Sequence, residues 1–303
     1  MMMDDTSPPI DETRIRLAVQ KKGRLADSTF ELLAQCGLKV RFGKSQLFAR
    51  IRELPIDVLL VRDDDIPELV ASGAADAGIV GANVYSEDQL DRADRSAAVI
   101  KELGFSRCRL CIAVETGVAY PGPSYFRGKR IATSYPHLTA DWLRKKGVED
   151  VEIVMMHGAH EIAPRLGHAH AICDIVQTGT TLDQNGLKVA ETIFSSQALL
   201  IARPDAPQEK SALIDDLAAR MAAAMASRDA KYVMMNAPRS AIADIRKVLP
   251  GKDAPTILAL AGSEEMVAIH VVCKEEVLWD QLEELKGLGA SAILVLDIDK
   301  MLS

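Results

Sequence analysis

Long apolar runs are missing from this chain, and so is any leader that joins a basic start to an apolar core. The opening, Met-Met-Met-Asp-Asp-Thr-Ser-Pro-Pro-Ile-Asp-Glu, is acidic and proline-bearing, which argues against a secretory signal and predicts a loose tail. No membrane partner is expected, and the expected location is the cytoplasm. Cysteine is scarce too. Five thiols, at 36, 108, 111, 173 and 273, are spread over 303 residues without the dense spacing of a disulfide framework, so free thiols are expected. Cys108-Arg-Leu-Cys111 has C-x-x-C spacing, but it lies in a strand-like run, Arg107 to Val114. Residues three apart there face opposite sides of a sheet, which argues against zinc or redox work. A basic excess is also absent. With 36 Lys and Arg against 43 Asp and Glu the net charge is −7, which argues against nucleic acid as a partner. A polyanionic substrate would have to be held by local positive groups.

What is present is a chain of ordinary globular composition, 48% hydrophobic and 26% charged, long enough for two or three domains. Its most informative stretch is 169–187, Ala-His-Ala-Ile-Cys-Asp-Ile-Val-Gln-Thr-Gly-Thr-Thr-Leu-Asp-Gln-Asn-Gly-Leu. An apolar strand ending near Val176 runs into hydroxyls around Gly179. Glycine lets backbone approach an anion, Thr178, Thr180 and Thr181 add donors, and a helix from Leu182 would aim free N–H groups at the same spot. Asp174 can accept hydrogen bonds from sugar hydroxyls beside such a phosphate. Read alone, the same residues equally describe a strand-turn-helix junction with threonine caps.

Elsewhere strands alternate with helices. Arg14–Gln20, Val58–Val61 and Ala77–Val80 read as strands. Ser28 and Glu31 read as a capping box opening a helix that Gly37 closes, and Asp65 reads as the cap of a helix ending at Gly73. A second sheet is expected from Arg107, with strands 129–133, 151–156 and 171–176 and helices near Pro136, Glu161 and Leu182. The stretch 190–202 is read as one strand returning to the first lobe. This predicts two α/β lobes around a cleft at the strands' carboxyl ends, the arrangement of a periplasmic solute-binding protein. After an alanine-rich helix at 211–228 the order becomes βαββαβ, a ferredoxin-like module. The expected domains are lobe I at 1–104 with 190–228, lobe II at 105–189, and a C-terminal domain at 229–303.

The phosphate loop resembles that of phosphoribosyltransferases, with Cys173 where the common form has a first acid. Four further motifs accompany it in order: Gln-Lys-Lys-Gly-Arg-Leu (20–25), Val-Arg-Asp-Asp-Asp-Ile-Pro (61–67), Asp-Ala-Gly-Ile-Val-Gly (76–81) and Lys-Arg-Ile-Ala-Thr-Ser-Tyr-Pro-His-Leu (129–138). Together they resemble the ATP phosphoribosyltransferase family in its long form, over nearly the whole chain from about Arg14. The resemblance implies the first step of histidine biosynthesis, in which N1 of ATP joins C1 of 5-phosphoribosyl 1-diphosphate and pyrophosphate leaves. Mg2+ is carried mainly on substrate phosphates, with no protein ligand assigned. Histidine is the implied inhibitor, and the implied assembly is a homo-oligomer moving between dimer and hexamer.

By the same resemblance, Glu161, Asp174, Thr178, Gly179, Thr180, Thr181 and Leu182 bind phosphoribosyl diphosphate. Gln20, Lys22, Gly23, Arg24, Leu25, Arg62, Asp76, Gly78 and Gly81 bind ATP, and Asn236, Thr256, Val271, Val272 and Ala292 bind histidine. No protein nucleophile is needed, since the site has to align two anions and stabilise a departing one. Charged loop residues such as Lys22 and Arg24 are also what an ordinary solvated turn carries. Histidines 157, 160, 168 and 170 invite a metal reading, which the neighbouring acids, better suited to ribose, argue against. The rival reading is a two-lobe solute-binding protein without catalysis, against which the lack of a secretion signal counts.

Overall fold

Ile15, Leu17, Ala18 and Val19 are all buried, as a strand inside a sheet covered on both faces requires. The computed structural model describes residues 11–42, 47–92, 97–228, 230–251, 254–298 and 301, so most of the expected N-terminal tail, residues 1–10, lies outside the described residues. In lobe I, β1 (Ile15–Gln20) runs parallel between β3 (Ile56–Val61) and β4 (Ala77–Gly81). An antiparallel edge, β2 (Phe48–Arg50), joins β3, and on the other side β11 (Ala198–Ala202) and β5 (Ala98–Glu102) complete the order β2-β3-β1-β4-β11-β5. The sequence reading missed β2 and β5, whose short runs carry little alternation.

Helices α1 (Arg24–Gln35), α2 (Ile66–Ala71) and α3 (Ala82–Asp91) follow the three parallel strands. Two expected caps are corrected. Gly23, at φ 108°, turns the chain so sharply after β1 that α1 begins at Arg24, leaving Ser28 and Glu31 inside the helix. Asp65 precedes α2 but belongs to a 3-10 turn, Asp63–Asp65, and makes no side-chain cap.

Lobe II holds β6 (Cys108–Glu115), β7 (Arg130–Thr133), β8 (Glu152–Met155), β9 (Ala171–Val176) and β10 (Leu187–Ser196) in the order β10-β6-β9-β7-β8, with β7 parallel to β8 and β9. Its helices are α4 (Pro136–Lys145) and the short α5 (Thr180–Gln184). Where a helix was expected near Glu161 there is one 3-10 turn, His160–Ile162. The stretch 190–202 is two strands, not one. β10 stays paired with β6 to Ser196, and only after Gln197 does β11 enter the first sheet. The return between sheets therefore falls at 197 rather than 190, where the Ser196 hydroxyl is held by Asn83. Ala18, Ile66 and Val70 share one core with Leu110, Phe126 and Trp142, so the lobes are packed together. All five cysteines are free thiols.

The chain divides into two compact units, Met1–Ala218 and Ala219–Ser303, and the division falls within α6 (Gln208–Arg228) rather than at its end. The second unit continues with β12 (Ala230–Pro238), α7 (Ile242–Val248), β13 (Thr256–Ala259), β14 (Met266–Lys274), α8 (Glu275–Gly287) and β15 (Ser291–Asp297). Its sheet, β13-β14-β12-β15, is antiparallel throughout, the ferredoxin-like order. Ile245 and Leu285 of the two helices pack on Val233, Met235, Val267 and Ile269. Among the described residues no helix is long and apolar enough to cross a membrane.

Candidate functional site

The carboxyl ends of β1 and β3 lie side by side, with Gln20 paired to Val61 and the Lys21 amide donating to the Val61 carbonyl at 2.9 Å. The structure therefore brings the exposed Lys22, Gly23 and Arg24, with half-buried Gln20 and Leu25, next to exposed Arg62. Arg62 lines a cavity of about 360 Å³ together with Asp64, Ser134, Tyr135, His137 and His157, so it faces lobe II.

Asp76 does not join this group. It precedes β4, at the opposite end of the sheet, about 13 Å away at four residues of strand rise. Fully buried, it accepts from the Arg16 amide at 2.8 Å, from the Arg16 side chain at 3.1 Å and from Lys210 at 3.0 Å. Burial alone would raise its pKa, but these donors hold the carboxyl below the ordinary aspartate value. The expectation of a nucleotide contact is corrected to a structural ion pair. Gly78 is likewise a packing glycine, because an added Cβ would stand 2.6 Å from Ile66 Cγ2 and 3.0 Å from Val70 Cγ2. Gly81 does lie at a carboxyl end. The amides beyond it are taken, however: Ala82 donates to the Gln197 carbonyl at 2.8 Å and Asn83 to the Ser196 hydroxyl at 3.0 Å. The returning strands cross at that point, so α3 has spent the donors expected to face a nucleotide.

Across the cleft, α4 is satisfied by lobe I. Pro136 at its first position has no N–H, and the next two amides, His137 and Leu138, donate to the Glu87 carboxylate at 2.7 and 2.8 Å. His137 Nδ1 stands 3.0 Å from the same carboxylate. Asn83 donates to the Tyr135 hydroxyl at 2.9 Å. Burial, with the charges of Asp63, Asp64 and Asp174, pushes the Tyr135 phenol far above its ordinary value.

The phosphate-loop residues come together as one surface. Gly179 sits at φ 88° with nothing within 4 Å of an added Cβ, and α5 starts at Thr180, two residues before the expected Leu182. Thr178, Thr180 and Thr181 are exposed, with the Thr178 and Thr180 hydroxyls 3.1 Å apart, while Leu182 is buried beneath them as an anchor. The loop's root, Val176 and Gln177, lines a cavity of about 500 Å³ with Arg107, Arg109, Ser195 and Gln197. The sequence reading missed those two arginines, which lie at the entrance to a strand without a motif around them. Glu161 is half-buried on the turn after β8. Asp174 is not alone. His160 Nδ1 lies 2.9 Å from its Oδ2, and the Ile175 amide donates to its Oδ1 at 2.7 Å. Of the other histidines in this stretch, His157 and His168 are exposed and His170 Nδ1 accepts from the Arg130 amide.

A family model for ATP phosphoribosyltransferase matches residues 62–223, and the model of that family's C-terminal domain matches residues 227–300. The chain belongs to the ATP phosphoribosyltransferase family. Among solved structures it is similar to the ATP phosphoribosyl transferase HisG:HisZ complex from Thermotoga maritima, with 26% identity and a TM-score of 0.58 over 69% of this chain and 96% of that one. Another match is the periplasmic aliphatic sulphonate binding protein SsuA from Escherichia coli, at 17% identity and a TM-score of 0.47 over 69% of this chain and 71% of that one. As an ATP phosphoribosyltransferase, the chain performs the first step of histidine biosynthesis, condensing ATP with 5-phosphoribosyl 1-diphosphate and releasing pyrophosphate. It uses a divalent metal, and histidine regulates it. Because the matching models are those of the enzyme, the reading as a solute-binding protein is not favoured.

In the C-terminal unit, the residues expected to contact histidine are spread out. Asn236 pairs with Ser291, beside Ala292, on one side of the sheet, while Thr256 pairs with His270 on the far edge. Three strand spacings separate Thr256 from Ala292, about 14 Å. Val271 is buried in the core face and Val272 points the other way, so the five do not meet around one ligand within a single chain.

Proposed function

We propose that phosphoribosyl diphosphate lies across the carboxyl end of β9, its 5-phosphate in the cradle of Thr178 to Leu182 and its ribose hydroxyls on Asp174 and Glu161. ATP enters opposite, against Gln20–Leu25 and Arg62, with Gly81 bordering the nucleotide. The observation that carries this reading is the contrast between helix starts. The amides of α3 and α4 are occupied by Gln197, Ser196 and Glu87, whereas among the described residues no other segment accepts from the Thr180 and Thr181 amides, and Thr178, Thr180 and Thr181 face solvent.

The chemistry follows from placement. Adenine N1 must approach C1 while pyrophosphate departs, and the protein's part is to align the two anions and offset charge on the leaving group. Lys22, Arg24 and Arg62 on one wall, with Arg107 and Arg109 near the loop root, supply that charge despite the negative whole chain. Magnesium is the metal this reading favours, and when bound it neutralises diphosphate oxygens. Among the described residues no three His, Cys, Asp or Glu form a metal cage, so the side chains do not fit a cation they would hold by themselves. Cytoplasmic location, a dimer–hexamer equilibrium and histidine contacts at Asn236, Thr256, Val271, Val272 and Ala292, drawn from more than one chain of the assembly, belong to the same reading. Effector and substrate lie in different units, so inhibition works by differential affinity between assembly or lobe states.

Steady-state kinetics of Thr178→Val and Thr181→Val test the placement. Each removes a donor to a charged phosphate while keeping shape, so KM for phosphoribosyl diphosphate should rise by about 1.5–3 kcal/mol of binding, with KM for ATP changing less. Equal losses for both substrates, or none, would overturn it.

A further inference from the structure

Resting on the placement of ribose at Asp174, we propose that His160 is a positioning residue: as an imidazolium it clamps the Asp174 carboxylate in place, making phosphoribosyl-diphosphate use fall as His160 loses its proton.

The geometry requires a second proton on the ring. Nδ1 lies 2.9 Å from Asp174 Oδ2 and Nε2 lies 3.1 Å from the Met156 carbonyl oxygen. A carbonyl oxygen only accepts, and so does an ionised carboxylate, whereas a neutral imidazole has a single N–H. A neutral ring would therefore face one acceptor with a lone pair. The other carboxylate oxygen receives the Ile175 amide, which favours the ionised form of Asp174. His160 is 4% exposed, so water is a poor substitute for either partner. The hydrogen bond that the ring donates to Asp174 raises the His160 pKa above the ordinary histidine value. Burial opposes this, and the charges of Asp174 on β9 and Glu161 on its own turn reinforce it.

The chain is bent to put the ring there. Ala159, between Gly158 at φ 148° and His160, adopts φ 52°, a conformation non-glycine residues rarely take. With one oxygen held by His160 and the other by Ile175, Asp174 is restrained to one orientation before substrate arrives. That lowers the ordering cost of binding ribose. Above the raised pKa the neutral ring keeps a single N–H: it loses its charge and one of its two anchors, so it holds the carboxylate less firmly and the advantage shrinks.

The test uses the full-length protein and the pH dependence of kcat/KM for each substrate. In the wild type, kcat/KM for phosphoribosyl diphosphate should fall as pH rises through the His160 pKa, with no matching limb for ATP. His160→Asn keeps a donor but cannot titrate, so this limb should vanish while most activity remains. His160→Leu should cost about tenfold or more in the same parameter below that pKa, with the gap to the wild type narrowing above it. Variants that retain the wild-type limb would overturn the clamp. Imidazole NMR reads the couple without turnover: at neutral pH both His160 nitrogens should be protonated, and Asp174→Asn should lower the ring's pKa. A neutral His160 at pH 7 would overturn the proposal. If Asp174→Asn leaves KM for phosphoribosyl diphosphate unchanged, the ribose placement itself fails. If that KM rises but the His160 variants keep the wild-type limb, only the clamp fails.

Discussion

Asp76 and Asp174 are the same residue type beside strands of neighbouring sheets, and their surroundings are opposite. Asp76 stands before β4 at the amino end of a parallel array, is fully buried, and neutralises Arg16 and Lys210. Asp57, near the start of β3, repeats the pattern with Arg14 at 2.7 Å and Arg50 at 3.2 Å. Asp174 stands near the carboxyl end of β9 and is partly exposed. In open α/β sheets the carboxyl ends are where ligands gather, so an acid's place along its strand separates the roles better than its motif does.

The strongest way to break this comparison is Asp76→Ala. It leaves two largely buried cations without their anion and should destabilise the fold by about 3–5 kcal/mol, read by chemical denaturation. KM for ATP in the remaining folded enzyme should not change specifically. Asp174→Asn should show the reverse, with near-normal stability and poor use of phosphoribosyl diphosphate. The pH dependence has a definite sign: because the Asp76 pKa is depressed on folding, its contribution is fully present above the ordinary aspartate range and is lost as pH falls through the lowered value. A selective rise in KM for ATP at unchanged stability would restore Asp76 to the nucleotide site.

Gly78→Ala is expected to be milder. The new methyl overlaps Ile66 and Val70 and should cost about 1–3 kcal/mol of stability, with nucleotide affinity unaffected. Weaker ATP binding in a protein that melts normally would mean the glycine admits ligand after all. Smallest should be Glu87→Ala, which removes acceptors from two amides of α4 and should lower stability by about 0.5–2 kcal/mol, the range for losing a helix cap. If thermal unfolding of that variant matches the parent, the contact between α3 and α4 contributes nothing.

Much of the fold was legible because its strands are dense apolar runs between turn residues. β1, β3, β4 and β9 lie within a few residues of the positions their patterns predict. β2 and β5 were not legible, since short or exposed edge strands are defined by hydrogen bonding to a neighbour and not by their own pattern. The break at Gln197 was hidden for a related reason. Residues 190–202 alternate little across that point, and the switch of sheets is set by where β6 begins, at Cys108, and β4 ends, at Gly81. The turn at Thr178 to Thr181 was readable as a strand-to-helix junction because glycine and threonine are local turn and capping residues. Lys210 was not, as it lies 134 positions from Asp76 and meets it only through the return of the chain into lobe I.

By itself the amino-acid order determined the two α/β lobes, the ferredoxin-like domain, the glycine-threonine turn after β9 and the family, because periodicity, turn chemistry and short motifs are encoded within a few tens of residues. Only the tertiary structure decided which acids are spent on ion pairs, which helix starts are capped by another segment, and that His160 holds Asp174. Those outcomes depend on burial and on donors that arrive from distant parts of the chain, and a carboxylate's role is set by the charges and amides that reach it.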